Sequence, residues 1–193
     1  MIIFGIDPGT ATTGYGVVKK EPSSKNNGPS TSLRTNGLTL IEYGCIVTPK
    51  EQAMPMRLFS IGKDLKVLLK RYKPDCIAIE QLFFGINSRT AMTVGQARGV
   101  VLSTIAGYNN RVPIFEYQGL SVKLTVTGSG KSDKKEIQKH VMRHLHKHKL
   151  AKPAKGYIDD AADALAVAIC HVIKTATNDE GLKTKVKTKN VRR

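Results

Sequence analysis

The stretch MIIFGIDPGTATTGYGVV, residues 1–18, decides the fold. Its opening apolar run predicts a strand over residues 1–7 that is buried on both faces and ends on Asp7. A turn rich in proline and glycine follows, and TGYGVV (13–18) predicts a second strand returning beside the first. The first carboxylate therefore stands at the end of a buried strand. That position suits an ordinary turn, a phosphate-binding loop or a metal ligand.

Beyond this hairpin the sequence alternates between strand and helix patterns. Residues 120–126 fit either a strand or a helix. A meander followed by alternating elements predicts an α/β fold with a five-stranded mixed sheet and helices on both faces. The predicted strands are 1–7, 13–18, 38–48, 76–80 and 112–117, and the predicted helices are 56–72, 91–108, 134–148 and 159–173.

The length of the chain indicates a globular protein, and its charge indicates that the protein binds a polyanion. The chain has 193 residues and 40% hydrophobic content, enough for one buried core. Lys and Arg total 31 against 15 acidic residues, a net charge of +16. No apolar run approaches the roughly 18 residues of a membrane span. Nucleic acid is favoured over a membrane surface because no basic amphipathic anchor is visible.

The sequence divides into one domain and a tail. The domain spans 1–173 and contains a long polar hairpin loop at 19–37, whereas the basic tail 174–193 reads as disordered. Met1 leads directly into a core strand, so no signal peptide is expected. The three cysteines sit in apolar runs without metal-like spacing and predict reduced thiols in a cytoplasmic protein.

Two carboxylates occupy positions where a core is expected. Strand alternation puts Asp7 on the same face of its strand as Gly5, and Glu80 on the same face of its strand as Ala78. Small neighbours leave space for an element to pack closely. The helix at 159–173, alanine-rich and apolar almost all round, is predicted to fill that space.

That last helix brings further acids. Asp160 and Asp163 are three residues apart and share a helical face, whereas Asp159 fits an N-cap or first-turn carboxylate. Buried carboxylates must pair, protonate or bind metal. Oxygen ligands of this kind suit Mg²⁺ or Mn²⁺ better than zinc. A purely structural role for all the acids stays open at this point.

Five separated motifs resemble the RuvC family of Holliday junction resolvases. The resemblance runs from Met1 to about His171 and rests on GIDPGTATTGYGVV, AIEQLFF, QARGV, VTGSGKSDK and DDAADALAVAICH. It implies an RNase H-like fold, a homodimer and paired symmetrical nicking of four-way DNA junctions in recombination and repair. It also implies two Mg²⁺ ions per subunit, with Mn²⁺ as a substitute, and a branch-migration complex of the RuvA and RuvB type as partner.

The resemblance also implies the site residues. The metal ligands would be Asp7, Glu80, Asp160 and Asp163, and Lys123 and Lys134 would hold the phosphate or stabilise developing charge. Phe83 would stack on an opened base, and the other candidate DNA contacts are Phe84, Arg89, Arg98, Lys131 and Lys135. We expect a structural role for His171. We expect a solvated, DNA-facing or dimer-proximal surface for His140, His144, His146 and His148, which crowd one basic helix.

Several alternatives compete with this interpretation. The opening hairpin is similar to that of the actin and sugar-kinase fold, but such ATPases need a second copy of the unit. TGSGKS (127–132) lacks the glycine that a P-loop needs at position 125. Another RNase H-like nuclease and a non-catalytic junction-binding protein both remain open. The helix at 91–108 is the expected dimer surface.

Overall fold

The structure is a computed structural model that describes residues 1–21, 35, 37–81 and 88–181, with the backbone alone for 88–90 and 177–181. Most of the predicted loop 19–37, the pair Phe83 and Phe84, and residues 182–193 lie outside the described residues. The division into domain and tail stays a prediction. No helix in the described part is long and apolar enough to cross a membrane.

Strands and helices follow one another as the sequence patterns predict. Predicted and observed strand limits agree within two residues. The elements are β1 (Ile2–Asp7), β2 (Thr12–Lys20), β3 (Leu38–Val47), α1 (Met54–Tyr72), β4 (Cys76–Gln81), α2 (Ser88–Tyr108), β5 (Ile114–Gln118), α3 (Gly119–Thr127), α4 (Lys134–His144) and α5 (Ile158–Gly181).

The five strands form one mixed sheet in the order β3-β2-β1-β4-β5. β2 pairs antiparallel with β1 and β3, and β4 pairs parallel with β1 and β5. The predicted five-stranded mixed sheet is therefore confirmed. Its central strand is β1, which ends on Asp7.

Helices cover both faces of the sheet, and alternate residues of β1 face opposite layers. Phe4 and Ile6 belong to the core beneath α1 and α2. Ile3 belongs to the core beneath α3, α4 and α5. Residues of both layers are fully buried, which explains the uninterrupted apolar run of β1.

Helix α5 lies directly on the sheet because three glycines leave room for it. A Cβ on Gly5 would meet the backbone of Ala164, and one on Gly14 would meet the carbonyl oxygen of Asp160. A Cβ on Gly16 would meet Leu165. These close approaches fix the height and register of the helix that carries Asp160 and Asp163.

Local signals set the ends of the helices. α1 has a proline in its first turn and ends at Tyr72. The next residue, Lys73, has a left-handed backbone (φ 45°) and is followed by Pro74. α4 begins with a capping box, in which Asp133 and Glu136 each accept a backbone hydrogen bond from the other. Both acids are thus used to start the helix.

The limits of α2, α4 and α5 differ from their predictions by more than two residues, and α2 begins at Ser88 instead of 91. Residues 120–126, which fit either a strand or a helix, form α3. They are helical because Val122 and Val126, four apart, pack on one buried face. α4 ends at His144 instead of 148, since His146 adopts a left-handed conformation (φ 52°). α5 continues beyond 173, where Lys174 still donates a 2.6 Å hydrogen bond to Ser121.

Candidate active site

Two of the predicted carboxylates stand at adjacent strand ends. β1 and β4 are parallel and their register pairs Ile6 with Ile79, so Asp7 and Glu80 are the next residues on each strand. Ile3 shares the face of Asp7 in β1, and Ala78 shares the face of Glu80 in β4. Both Ile3 and Ala78 belong to the core beneath α3, α4 and α5, so the two acids lie on the face of the sheet that these helices cover. The sheet thus brings together acids that are far apart in sequence.

Helix α5 brings the other two acids to the same place. Asp7 pairs in register with Gly14, and the backbone of Asp160 rests on Gly14. Asp163 follows one turn later and lines a pocket of about 270 Å³ together with Asp7 and Glu80. Asp160 stands at the edge of this group and does not line the pocket.

The two predicted lysines reach the same pocket from different helices. Lys123 of α3 and Lys134 of α4 both line it. Gly119, the first residue of α3, lies against the Glu80 carboxylate. The pocket therefore combines three carboxylates with two ammonium groups, on a floor that includes Val122, Val126, Ile137 and Ala166.

The acids raise one another's pKa values. Burial is the main cause of the raised pKa of Asp7, which reaches about 8, and the charges of Glu80, Asp163 and Asp160 raise it too. Burial also raises the pKa of Glu80 to about 7, with Asp163 adding to the rise and Lys123 opposing it. Buried like charges of this kind are unfavourable without a counter-charge.

The pKa values of the helix acids are raised as well. Burial is the first cause for both Asp160 and Asp163, and Lys134 opposes the rise in each. Two lysines therefore offset part of the repulsion among four acids. The remaining negative charge favours a cation at this place.

The donor set suits a hard divalent cation. Carboxylate oxygens are the preferred ligands of Mg²⁺ and Mn²⁺. Among the described residues, no three His, Cys, Asp or Glu side chains stand close enough to hold a metal ion as they are placed. The acids fit the cation in chemistry and charge, and their oxygens have to move closer together to ligate it.

Asp159 has a role that its sequence position did not reveal. Its carboxylate accepts a 2.5 Å hydrogen bond from Gln138 and lies 3.6 Å from the Lys134 ammonium. It therefore links α4 to the first turn of α5 and places a counter-charge beside Lys134. No sequence signal could pair residues 21 positions apart on two different helices.

The predicted DNA contacts differ in whether their side chains are exposed. Lys131 and Lys135 are exposed, as expected for residues on a basic face. Arg98 forms a 2.5 Å ion pair with Glu116 of β5 and is mostly buried, an arrangement that favours a structural role. Phe83, Phe84 and the side chain of Arg89 lie outside the described residues.

Two histidines are buried away from the acids. His171 accompanies Cys76 at the start of β4, the opposite strand end from Glu80, which agrees with its expected structural role. His144 was expected on a solvated surface, and this prediction is wrong because only 6% of it is exposed. It follows Val141 by three residues on the buried face of α4, and its Nε2 contacts the Val126 carbonyl at 2.9 Å.

Comparison with known proteins identifies the family. The family sequence model described as "Crossover junction endodeoxyribonuclease RuvC" matches residues 3–171. The chain belongs to the RuvC family. Its RuvC relative from Syntrophomonas wolfei is 45% identical over 172 residues, covering 89% of this chain and 88% of the relative. The relative from Desulforamulus reducens is 44% identical over 177 residues, covering 92% and 96%.

A solved RuvC structure agrees with the fold. The structure described as "T. thermophilus RuvC in complex with Holliday junction substrate" matches with a TM-score of 0.75 and 27% identity, covering 92% of this chain and 96% of that one. The predicted RNase H-like fold is confirmed. Family membership over residues 3–171 also removes the ATPase alternative.

Proposed function

We propose that this RuvC family member is a crossover junction endodeoxyribonuclease that resolves four-way DNA junctions with divalent cations. The observation that carries the proposal is the convergence of Asp7, Glu80 and Asp163 with Lys123 and Lys134 on one pocket. The names of the relatives support the reaction class. The junction complex of the Thermus thermophilus relative supports the substrate.

Asp7, Glu80, Asp160 and Asp163 would hold two Mg²⁺ ions per subunit, with Mn²⁺ as a substitute. When bound, this pair would supply charge neutralisation at the scissile phosphate, activation of a water and stabilisation of the leaving 3′ oxygen. Asp7 belongs to the central strand and has charged neighbours on two elements, so it would stand at the centre of the ligand set. Hydrolysis would leave 5′-phosphate ends.

The lysines would act on the DNA side of the pocket. Lys134 approaches from the start of α4 and Lys123 from α3, so their ammonium groups can contact a phosphate from two directions. Fixed positive charge in such a pocket stabilises charge that develops on phosphate oxygens. Asp159, which accepts a hydrogen bond from Gln138, places a negative charge beside the Lys134 ammonium.

Symmetry sets the expected assembly. A four-way junction has two-fold character, and two active sites on a symmetric homodimer would cut it in pairs. We place the dimer surface on α2, DNA stacking at Phe83 and phosphate contacts at Lys131 and Lys135. A branch-migration complex of the RuvA and RuvB type is the expected partner, and the cytoplasm the expected location.

The test compares DNA substrates. The protein is incubated with a mobile four-way junction and with a plain duplex of equal length, each with and without Mg²⁺. Paired nicks confined to the junction and dependent on Mg²⁺ are the expected result. Cutting of RNA–DNA hybrids or flaps instead would indicate another RNase H-like nuclease, and junction binding without nicks would indicate a non-catalytic protein.

A further inference from the structure

A long stretch beside the pocket contains no acidic residue. Residues 137–158 hold no Asp or Glu, yet they contain four of the five histidines. We call its cations the basic ridge. The basic ridge consists of Lys139, Arg143, Lys147, Lys149, Lys152 and Lys155.

All six cations of the basic ridge are exposed. On α4, Lys139 and Arg143 are four residues apart, about 6 Å along the helix axis. They lie opposite Ile137 and Val141, two of the three residues that α4 buries. The outward face of this helix therefore carries only positive charge beyond its first turn.

The two acids that precede the basic ridge on α4 take part in starting the helix. Asp133 and Glu136 stand at the start of the helix, where each accepts a backbone hydrogen bond of the capping box. Asp159, just beyond the stretch, accepts a hydrogen bond from Gln138 and lies beside the Lys134 ammonium. The cations of the basic ridge thus have no acidic neighbour on their own segment.

The chain after α4 is fastened to the sheet, so its lysines occupy a fixed surface. Leu150 is buried in the core beneath α5. The Tyr43 hydroxyl donates a 2.9 Å hydrogen bond to the Ala151 carbonyl. Cys45 donates through its sulfur to the Tyr157 carbonyl at 3.3 Å.

The start of the stretch borders the pocket, because Ile137 lines it. α4 begins at Lys134, which lines it, and the stretch leads into α5 just before Asp159 and Asp160. A phosphate chain that leaves the pocket along α4 therefore meets the basic ridge next. The basic ridge lies on the same side of the sheet as the acids.

We propose that the basic ridge binds the sugar–phosphate backbone of one duplex arm of the junction, outside the crossover. This inference rests on the proposed function, which identifies the DNA substrate as a four-way junction. Its cations are exposed and spread over one surface, which suits phosphates and gives no base specificity. The basic ridge thus adds affinity for the arm, and the pocket performs the cleavage.

The test neutralises three cations together, in Lys139→Gln, Arg143→Gln and Lys147→Gln. Fluorescence anisotropy with a labelled junction and a labelled duplex, in EDTA and over a salt series, gives the affinity and its salt dependence. We expect both affinities to fall at least about tenfold at 0.1 M salt, and the slope of log K against log salt to shrink by about 0.9 per lost phosphate contact. Single-turnover cleavage at saturating protein should be unchanged.

The matched control removes the same charge from the opposite side of the sheet. Lys63, Lys66 and Lys70 are exposed on α1, and their joint change to Gln should leave affinity and slope unchanged. An equal loss in both variants, or no loss in the first, would overturn the proposal. Should the first variant prove unstable on heating, Lys147→Gln with Lys149→Gln carries the same test.

Anisotropy and cleavage separate this inference from the proposed function. If the unmodified protein binds the junction through the basic ridge but leaves it uncut, the proposed nuclease activity is disproved. The proposal that the basic ridge binds a duplex arm is then retained. Protein that cuts the junction normally while the first variant binds like the unmodified protein would disprove the arm surface alone.

Discussion

Helix α5 covers buried polar side chains at two places, and their surroundings differ. Beside His171, every polar group has a partner: Nδ1 contacts the Tyr117 hydroxyl at 2.7 Å and Nε2 the Cys76 sulfur at 3.4 Å. Eight residues earlier, about 12 Å along the helix, Asp163 faces other carboxylates. One place pairs donors with acceptors, whereas the other gathers like charges.

This difference separates a structural site from a functional one. Burial lowers the pKa of His171, so a neutral imidazole sits between a phenol and a thiol without an unpaired charge. At the other place burial and like charges raise the pKa values of Asp7 and Glu80. Such an arrangement opposes folding when the acids ionise, and a bound cation would reverse its effect.

Removing one acid should produce the largest effect. Asp7→Asn keeps the size of the side chain but takes away the carboxylate at the centre of the group. We expect junction cleavage to fall by more than about a hundredfold, the upper range for residues that only support metal ligands. The rate is measured in single turnover with saturating Mg²⁺.

The control for this change is an exposed acid on the opposite helix layer. Asp64→Asn on α1 alters the net charge equally and should leave cleavage intact. Junction affinity of the Asp7→Asn protein should equal or exceed that of the unmodified protein, because a negative charge near the DNA is gone. Full cleavage by Asp7→Asn would contradict the assignment of the acidic group.

The pH dependence of stability should differ between the two places. Asp7 binds its proton more tightly in the folded chain, where its pKa is about 8, than at its ordinary value of 3.8. The folded state therefore holds more protons, and stability is lost as the pH rises from about 4 to 8. We expect metal-free protein to melt several degrees lower at pH 8 than at pH 5, with a smaller loss in Asp7→Asn.

Adding Mg²⁺ at pH 8 should restore the melting temperature of the unmodified protein, because an ion that binds only the folded state stabilises it. Asp7→Asn should gain little. A melting temperature that is independent of pH over this window in metal-free protein would show that the carboxylates are not held together. Thermal denaturation in EDTA and in Mg²⁺ provides the measurement.

Much of the fold and most of the acidic group could be predicted because they depend on local patterns. The apolar run ending at Asp7 gives the central strand, and Gly5 beside it signals a close neighbour. Asp160 and Asp163 follow from their spacing on an alanine-rich helix. Gly14 and Gly16 of TGYGVV are two residues apart and therefore lie on the same face of β2. This spacing also indicates that another element packs closely on that face, and the element is α5.

The remainder depends on contacts that no local pattern contains. The link from Asp159 to Gln138 and Lys134 joins two helices through tertiary packing. His144 looks like one member of a histidine-rich surface, and only the packing of α4 against α3 shows that it is buried. The residue pattern at 120–126 has apolar side chains at every second position, so it is typical of a strand as well.

The smallest effect is expected at the paired end of α5. His171→Ala leaves the Tyr117 hydroxyl without its buried partner, so unfolding should cost about 1–3 kcal/mol less. The Mg²⁺ concentration for half-maximal cleavage should be unchanged, because His171 contacts the start of β4 and not its acidic end. His148→Ala, at an exposed position, controls for the loss of an imidazole and should not alter stability.

This pair of readouts tests whether the two ends of α5 act independently. A rigid helix could transmit the loss of His171 to Asp163, and the Mg²⁺ requirement would then rise together with the loss of stability. The glycine contacts argue against that outcome, because Gly5 holds α5 between the two places through its contacts with Ala164 and Ala168. A higher Mg²⁺ requirement in His171→Ala would show that the histidine positions the acids as well as stabilising the fold.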